Sequence, residues 1–513
     1  MSPLARRIAL LPVLALLGAA CASTQTQNEP WIEVRSANFR FVSQIDELRT
    51  TELANELELF QGVLKKLTNA REFEPRVQTT IFVLRDTYAY RLFAPRGSAG
   101  VFIPLQRANF AVVDAESKRI SASNVLLHEY THYVVHNDAT FTYPRWYDEG
   151  FAELMSGTDV EKEHIDLGLP LAHRQMSVQD NRFLPLRKMV TDDRRVTEVE
   201  NRILYAKAWR FLHYLRYGSR VGFPDRSAQV SRYLLRFNEG ATPEAAFREA
   251  FGTSFEALDQ EFEEYLRKGQ LRGLRISREG FPDPAPPTAR RMSAAEVATE
   301  LGTLALARED SERAESLFRA ALQIQPDDAR AVLGLASTLR QRTGPLALLD
   351  RSGEVDALYA RGLELAPDAA LSQLDYAAYL LARAEDMRAG EEQSKLLSEA
   401  RVHLLRAIEL DAKLPEAHAK RAQSYLEFEG QDSAAGLAAA ARAHQLLSSN
   451  AEINYLLALG LFRADRLAEA KQLASAARLR AFRKVEGLDA LDDQIDAALA
   501  AAPPADAPPV SAR

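Results

Sequence analysis

Three of the chain's 9 histidines, His128, His132 and His136, stand together in Val125-Leu126-Leu127-His128-Glu129-Tyr130-Thr131-His132-Tyr133-Val134-Val135-His136, and no histidine precedes them. On a helix, residues i and i+4 lie about 40° apart around the axis and about 6 Å apart along it, so the imidazoles of His128 and His132 can converge on one cation. Glu129 stands beside the pair, where a carboxylate can take a proton from metal-bound water. The surrounding Val and Leu residues make this helix deeply apolar, and an imidazole or carboxylate buried there without a partner is costly. Cys21 is the only cysteine. An internal disulfide and a cysteine-rich metal site are therefore excluded, and any metal is held by histidine and carboxylate. A catalytic zinc keeps three protein ligands and one open position. His136 continues the helix a further turn, too far along the axis to meet the same ion, and reads as structural or cleft-lining. A better third ligand lies in Pro144-Arg145-Trp146-Tyr147-Asp148-Glu149-Gly150-Phe151-Ala152-Glu153, an apolar helix that places Glu149 seventeen positions after His132.

HEYTH followed by PRWYDEGFAE resembles the gluzincin peptidases, and in detail the peptidase-MA-like proteins, whose signature runs HExxH and then P-x-W-x-x-E-G-x-A-E. The resemblance implies that His128, His132 and Glu149 bind Zn²⁺ and that Glu129 is the general base. Gly150, next to the ligand, permits close helix approach. Glu153 takes the place of the family's carboxylate that orients the first ligand histidine, with Glu here where thermolysin-like enzymes have Asp. Asp148 has two readings, a carboxylate that orients a histidine or a solvated or structural one, with the second favoured. Gluzincins take an oxyanion donor, Tyr or His, from a later helix. In Leu204-Tyr205-Ala206-Lys207-Ala208-Trp209-Arg210-Phe211-Leu212-His213-Tyr214-Leu215 that points to Tyr205, with His213 in reserve. The resemblance covers roughly residues 31 to 268.

The elements that must position these groups follow from periodicity. Trp31–Val34, Phe39–Val42, Val77–Leu84, Val101–Ile103 and Phe110–Val113 have strand character, Leu48–Leu67 has helical spacing, and nearly everything from about Asn124 onward reads as helix. Short strands followed by helices predict an α+β domain over residues 31–270. Residues 271–292, with the run Phe281-Pro282-Asp283-Pro284-Ala285-Pro286-Pro287, read as a Pro-rich linker. Beyond it, Leu301-Gly302, Ala314, Phe318, Ala321 and Pro326 resemble the 34-residue tetratricopeptide (TPR) repeat, and residues 293–482 hold about five such repeats in an all-α solenoid with a concave surface. Residues 483–513 read as a terminal helix and an unstructured Ala/Pro tail.

Of 513 residues, 47% are hydrophobic and 26% charged, which fits a globular chain and excludes a multi-span membrane protein. The formal net charge of -7 has the wrong sign for a nucleic-acid binder. Arg6 and Arg7 precede an apolar run, Ile8–Leu17, too short to span a bilayer, so residues 1–20 read as an export signal. The ending Leu16-Leu17-Gly18-Ala19-Ala20-Cys21 resembles a bacterial lipoprotein signal. That implies acylation of Cys21, a tether over 21–30, and a lipid anchor at the periplasmic face of the outer membrane. The function expected is a zinc-dependent peptidase of the cell envelope whose repeats recruit protein or peptide substrates or a TPR-bound protein partner. The alternative is a non-catalytic TPR scaffold with an inactive or structural metal site.

Overall fold

A computed structural model describes residues 30–68, 77–95, 98, 100–117, 120–136, 142–171, 184–191, 198–342, 348–480 and 484–501. The export signal, Cys21 and the tether up to residue 29 lie outside the described residues, as does the tail from 502. The chain forms two units, one of Glu29–Pro104 with Ala108–Met292, the other of Ser293–Arg513 with the short segment Leu105–Arg107.

The first unit runs β1 (Ile32–Arg35), β2 (Phe39–Ser43), α1 (Glu47–Leu67), β3 (Thr79–Leu84), α2 (Thr87–Phe93), β4 (Gly100–Pro104), β5 (Asn109–Asp114), α3 (Ala122–His136), α4 (Arg145–Ser156), β6 (Asp159–Val160), β7 (His164–Leu167), α5 (Leu186–Thr191), α6 (Glu198–Tyr217), α7 (Ser227–Asn238), α8 (Pro243–Phe251), α9 (Phe255–Lys268), β8 (Leu274–Ser277) and β9 (Thr288–Arg291). Its main sheet has the order β4-β5-β3-β2-β1-β9. The central pairs β2–β3 and β3–β5 are parallel, and Ile81 lies between Phe41 and Ala111 in register. Alternate residues Phe39, Phe41, Ile81, Val83, Ala111 and Val113 point to one face, where α1 and α3 cover them with Leu57, Phe60, Val63, Val125, Leu126, Tyr130 and Val134. Each large apolar side chain buried there contributes about 1.5–3 kcal/mol, which fixes α3 against the sheet. A second core joins Trp146 and Leu154 of α4 to Trp209, Phe211, Leu212 and Leu215 of α6 and to Tyr233, Phe247 and Phe262.

Two sequence expectations are corrected. The chain after Asn124 is not wholly helical, because β6, β7 and β8 form a second, antiparallel sheet. The span 271–292 is not only a linker: β8 pairs with β7, and β9 closes the outer edge of the main sheet by pairing Thr288–Arg291 with Ile32–Arg35. These strands have two or four residues, too few for a period, and β8 and β9 pair with partners far away in sequence. β9 is exposed along its whole length, and it forms because the edge of β1 would otherwise present unpaired backbone groups.

The second unit is a stack of helix hairpins: α10 (Ala294–Ala307), α11 (Ser311–Ile324), α12 (Ala329–Arg342), α13 (Leu348–Leu365), α14 (Ala370–Glu385), α15 (Glu391–Leu410), α16 (Pro415–Leu426), α17 (Ser433–Leu446), α18 (Ala451–Arg463), α19 (Leu467–Arg480) and α20 (Leu488–Ala501). Ser293 and Glu296 form a capping box that starts α10. Phe318 of α11 explains two glycines: a Cβ on Gly302 or Gly334 would stand 2.9 or 2.3 Å from its ring. Even-numbered helices α10 to α18 pack in succession and form a continuous inner layer, so the repeats build a TPR-type solenoid.

One charged group pins the sheet edge. Glu33, 3% exposed, accepts hydrogen bonds from Arg35 (2.8 Å), Arg40 (2.6 Å) and Arg290 of β9 (2.8 Å). Burial alone would raise its pKa, but the guanidinium groups hold it at about 2, below the ordinary 4.5. A folded-state value below the unfolded one gives stability that is complete above about pH 4.5 and disappears as the pH falls through about 2. Glu33→Gln should therefore destabilise the protein at pH 7 by roughly 1.5–3 kcal/mol in urea unfolding. The gap to wild type should close in acid, and a gap independent of pH would refute the ion-pair account.

Candidate metal centre

The centre is built where α4 packs between α3 and α6. Ser121 starts α3 by accepting a hydrogen bond from the Asn124 amide (3.1 Å) on its hydroxyl. The buried Val125, Leu126, Tyr130 and Val134 turn the opposite side of α3, with its histidines, toward α4. Gly150 lets the helices meet: a Cβ there would lie 2.8 Å from the Ala208 carbonyl oxygen of α6, closer than any side chain tolerates. The ligand candidate Glu149 is thereby held at the crossing.

The structure brings the expected ligands together. His128 Nε2 and His132 Nε2 are 3.2 Å apart, and Glu149 Oε2 lies 3.7 Å from the first and 3.4 Å from the second. Bonds of 2.0–2.1 Å around a tetrahedral zinc separate neighbouring donors by about 3.3 Å. Glu149 Oε2 is buried without a hydrogen-bond partner and faces both ring nitrogens. The residues present therefore fit a metal ion in donor type, number and spacing.

Both far ring nitrogens face carboxylates. Glu153 Oε1 of α4, buried, is 3.3 Å from His128 Nδ1, so the glutamate reaches the first ligand histidine despite its extra methylene. Asp148 Oδ1 is 2.9 Å from His132 Nδ1, and its other oxygen is 2.9 Å from His136 Nε2. With Nδ1–H donating to these carboxylates, each ligand histidine turns its Nε2 lone pair toward the centre. His132, His136 and Asp148 are a second group able to approach a cation, but the 2.9 Å spacings are those of hydrogen bonds. For Asp148 the geometry favours the orienting reading over the solvated one. Its signal was present: His128/His132 and His132/His136 are successive i, i+4 pairs, and the adjacent Asp148 and Glu149 each answer one of them.

Tyr205 is half-buried on α6, next to Glu149 and Arg145. Burial and then the Glu149 charge push its phenol far above 10, so it stays a protonated donor. His213, the reserve candidate, is not at the centre. It is fully buried, its Nδ1 lies 2.6 Å from the Tyr265 hydroxyl, and burial lowers its pKa to about 4. Eight residues, just over two turns, separate it from Tyr205, and its ring lies instead against Trp209, Tyr217 and Tyr265.

Charges at the centre call for a cation. Burial, with the nearby charges of Glu149 and Glu153, pushes the Glu129 carboxyl up to about 7. Burial opposes protonation of His132, yet Asp148 and Glu149 hold its pKa well above the ordinary value. Asp148 is the reverse case: burial would raise it, while His136 and His132 hold it far below. Without a metal, a proton on His132 offsets the Asp148 and Glu149 charges.

No family model matches the chain, and no curated protein does. Similar solved structures include a thermophilic TPR protein from Thermus thermophilus, with 22% identity over 40% of this chain and 99% of that one and a TM-score of 0.32. PilW, a type IV pilus biogenesis factor, gives 17%, 41%, 87% and 0.33. YrrB, a TPR protein whose structure is described as having an unusual peptide-binding site, gives 15%, 40%, 92% and 0.27.

Zinc competition with a chelator tests the arrangement. His132→Ala and Glu149→Ala should abolish a stoichiometry of about one ion per chain, whereas Asp148→Asn and Glu153→Gln should weaken affinity about 10- to 100-fold. His136→Ala should keep the ion; its loss in that variant would make His136 a ligand.

Proposed function

We propose that the first unit is a zinc-dependent peptidase and that the solenoid recruits its protein or peptide substrates or a protein partner. The observation that carries the reading is the convergence of two Nε2 atoms and the unpartnered Glu149 Oε2 at metal-ligand spacing, with Glu129 beside them. A Zn²⁺ held by His128, His132 and Glu149 would supply Lewis-acid chemistry, acidifying a water and polarising a peptide carbonyl. Glu129 takes the proton from the attacking water on its carboxylate and delivers it to the leaving nitrogen. Tyr205 keeps its proton and donates a hydrogen bond to the developing oxyanion.

Glu129→Gln should retain zinc and fold while lowering hydrolysis of an unfolded protein or peptide about 10²- to 10⁴-fold. A second reading, a binding scaffold without catalysis, is supported by the solenoid, a stack of helix hairpins of the kind that presents a concave binding surface. It is adopted if wild type with full zinc occupancy hydrolyses nothing and Glu129→Gln still complements a deletion strain.

We also propose that Cys21 carries the lipid that holds the protein at the periplasmic face of the outer membrane. No helix among the described residues is long and apolar enough to cross a membrane. Cys21→Ser should move the protein from the membrane to the soluble fraction with an unchanged melting temperature, since no disulfide is lost. A wild-type protein that is soluble after export overturns the anchor.

A further inference from the structure

Beyond Tyr205 on α6, in the second core of the first unit, Trp209 Nε1, Arg210 Nε and His213 Nε2 are buried without a hydrogen-bond partner. Trp209 and His213 are fully buried, and Arg210 is only 9% exposed. Trp209 and His213 are four positions apart and Arg210 and His213 three, so the three side chains leave the helix as neighbours. The Arg210 guanidinium carbon lies 5.5 Å from the centroid of the Trp209 ring, which lies 6.5 Å from that of His213. Burial, and then the Arg210 charge, hold His213 neutral with a pKa of about 4. With the Tyr265 hydroxyl of α9 donating to Nδ1 at 2.6 Å, the ring carries its proton on Nε2. The backbone of Gly168 is near this ring, outside hydrogen-bonding geometry to Nε2.

A buried guanidinium keeps its proton, and a charge without a counterion is costly to bury. Among the described residues, the one group whose charge would offset Arg210 is the Tyr265 phenol, which burial keeps protonated and neutral. The Trp209 ring gives the guanidinium a cation–π contact but no negative charge. Arg210 therefore lacks what buried arginines have, and the indole and imidazole beside it offer further donors. Water can accept from these N–H groups but cannot neutralise the charge. An oxyanion does both, since its oxygens accept from the guanidinium and from a neighbouring N–H at once.

We propose that Trp209, Arg210 and His213 form a binding site for a small oxyanion, a phosphate or a carboxylate, within the second core of the first unit. The bound anion neutralises Arg210 and stabilises α6, the helix that also carries Tyr205. The site goes beyond the peptidase reading and depends neither on it nor on zinc.

The test titrates the full chain with sodium phosphate or sodium acetate at fixed pH and ionic strength, chloride making up the difference, and records the melting temperature. At ten times its dissociation constant, an anion that fits should raise that temperature by roughly 3–6 °C. A response to phosphate alone or to acetate alone identifies which of the two oxyanions the site takes. Arg210→Met, which keeps the apolar stem and removes the charge, should abolish the shift. Arg210→Lys keeps the charge but loses the planar donors; it should weaken affinity at least about tenfold and serves if Arg210→Met fails to fold. Trp209→Phe, which keeps a ring and loses the N–H, should weaken affinity about 5- to 10-fold. His132→Ala should keep the wild-type shift. A shift lost in His132→Ala but kept in Arg210→Met or Arg210→Lys places the anion at the metal centre and overturns the site. A wild type unmoved by both anions means that water alone satisfies these donors, and overturns it as well.

Discussion

Four carboxylates, Glu129, Asp148, Glu149 and Glu153, share the crossing of α3 and α4 with three imidazoles, and most of this charge is shielded from water. Carboxylates brought together in a low-dielectric interior repel one another, and hydrogen bonds within the cluster satisfy only part of them. Asp148 and Glu153 are neutralised by ring N–H groups, but Glu149 Oε2 has no donor. The arrangement is stable only with positive charge between the rings, as protons or as a metal ion. A dication satisfies both Nε2 lone pairs and Glu149 at once, which protons cannot do, since each proton occupies one lone pair and leaves the carboxylate to find its own partner. The geometry of this crossing determines much of the surrounding architecture.

A site with these tolerances needs elements that cannot slide. α3 is fixed by its apolar face on the sheet, and α4 by Trp146 and Leu154 in the second core. Gly150 sets the α4–α6 spacing by contact with the Ala208 carbonyl, so α4 is positioned from both sides. Close packing of this kind transmits displacement: pushing α4 away from α6 by a methyl group would move Glu149 relative to two histidines that the sheet holds still. Tyr205 and Gly150's contact Ala208 belong to the same helix, so Tyr205 and Glu149 are adjusted together.

What the sequence made legible is what depends on local spacing. The i, i+4 histidines, the apolar run around them, the Glu149 helix and the repeat positions Leu301, Gly302, Ala314, Phe318 and Ala321 are all read within one or two turns. The strands β6 to β9 escaped because two to four residues carry no period and their pairing is decided by partners as far as 259 residues apart, as between Ile32 and Arg291. The position of His213, the reserve donor, is hidden for a related reason. From the sequence it shares a helix with Tyr205, but whether both face the candidate metal centre depends on the wall of aromatic residues from α7 to α9 that claims one side of α6. The link from His136 through Asp148 to His132 needed the α3–α4 crossing itself, which no spacing within either helix contains.

Buried acids in the first unit meet two kinds of counter-charge. At the metal centre, carboxylates are paired with imidazoles, groups that exchange protons near neutrality and leave lone pairs for a cation. At the sheet edge, Glu33 is paired with the guanidinium groups of Arg35, Arg40 and Arg290, which neither lose a proton nor bind metal and offer fixed, directional donors. Buried acids thus behave according to their counter-charge: beside histidine they can share protons or a cation, and beside arginine they fix position. The difference lies in the partner's proton chemistry.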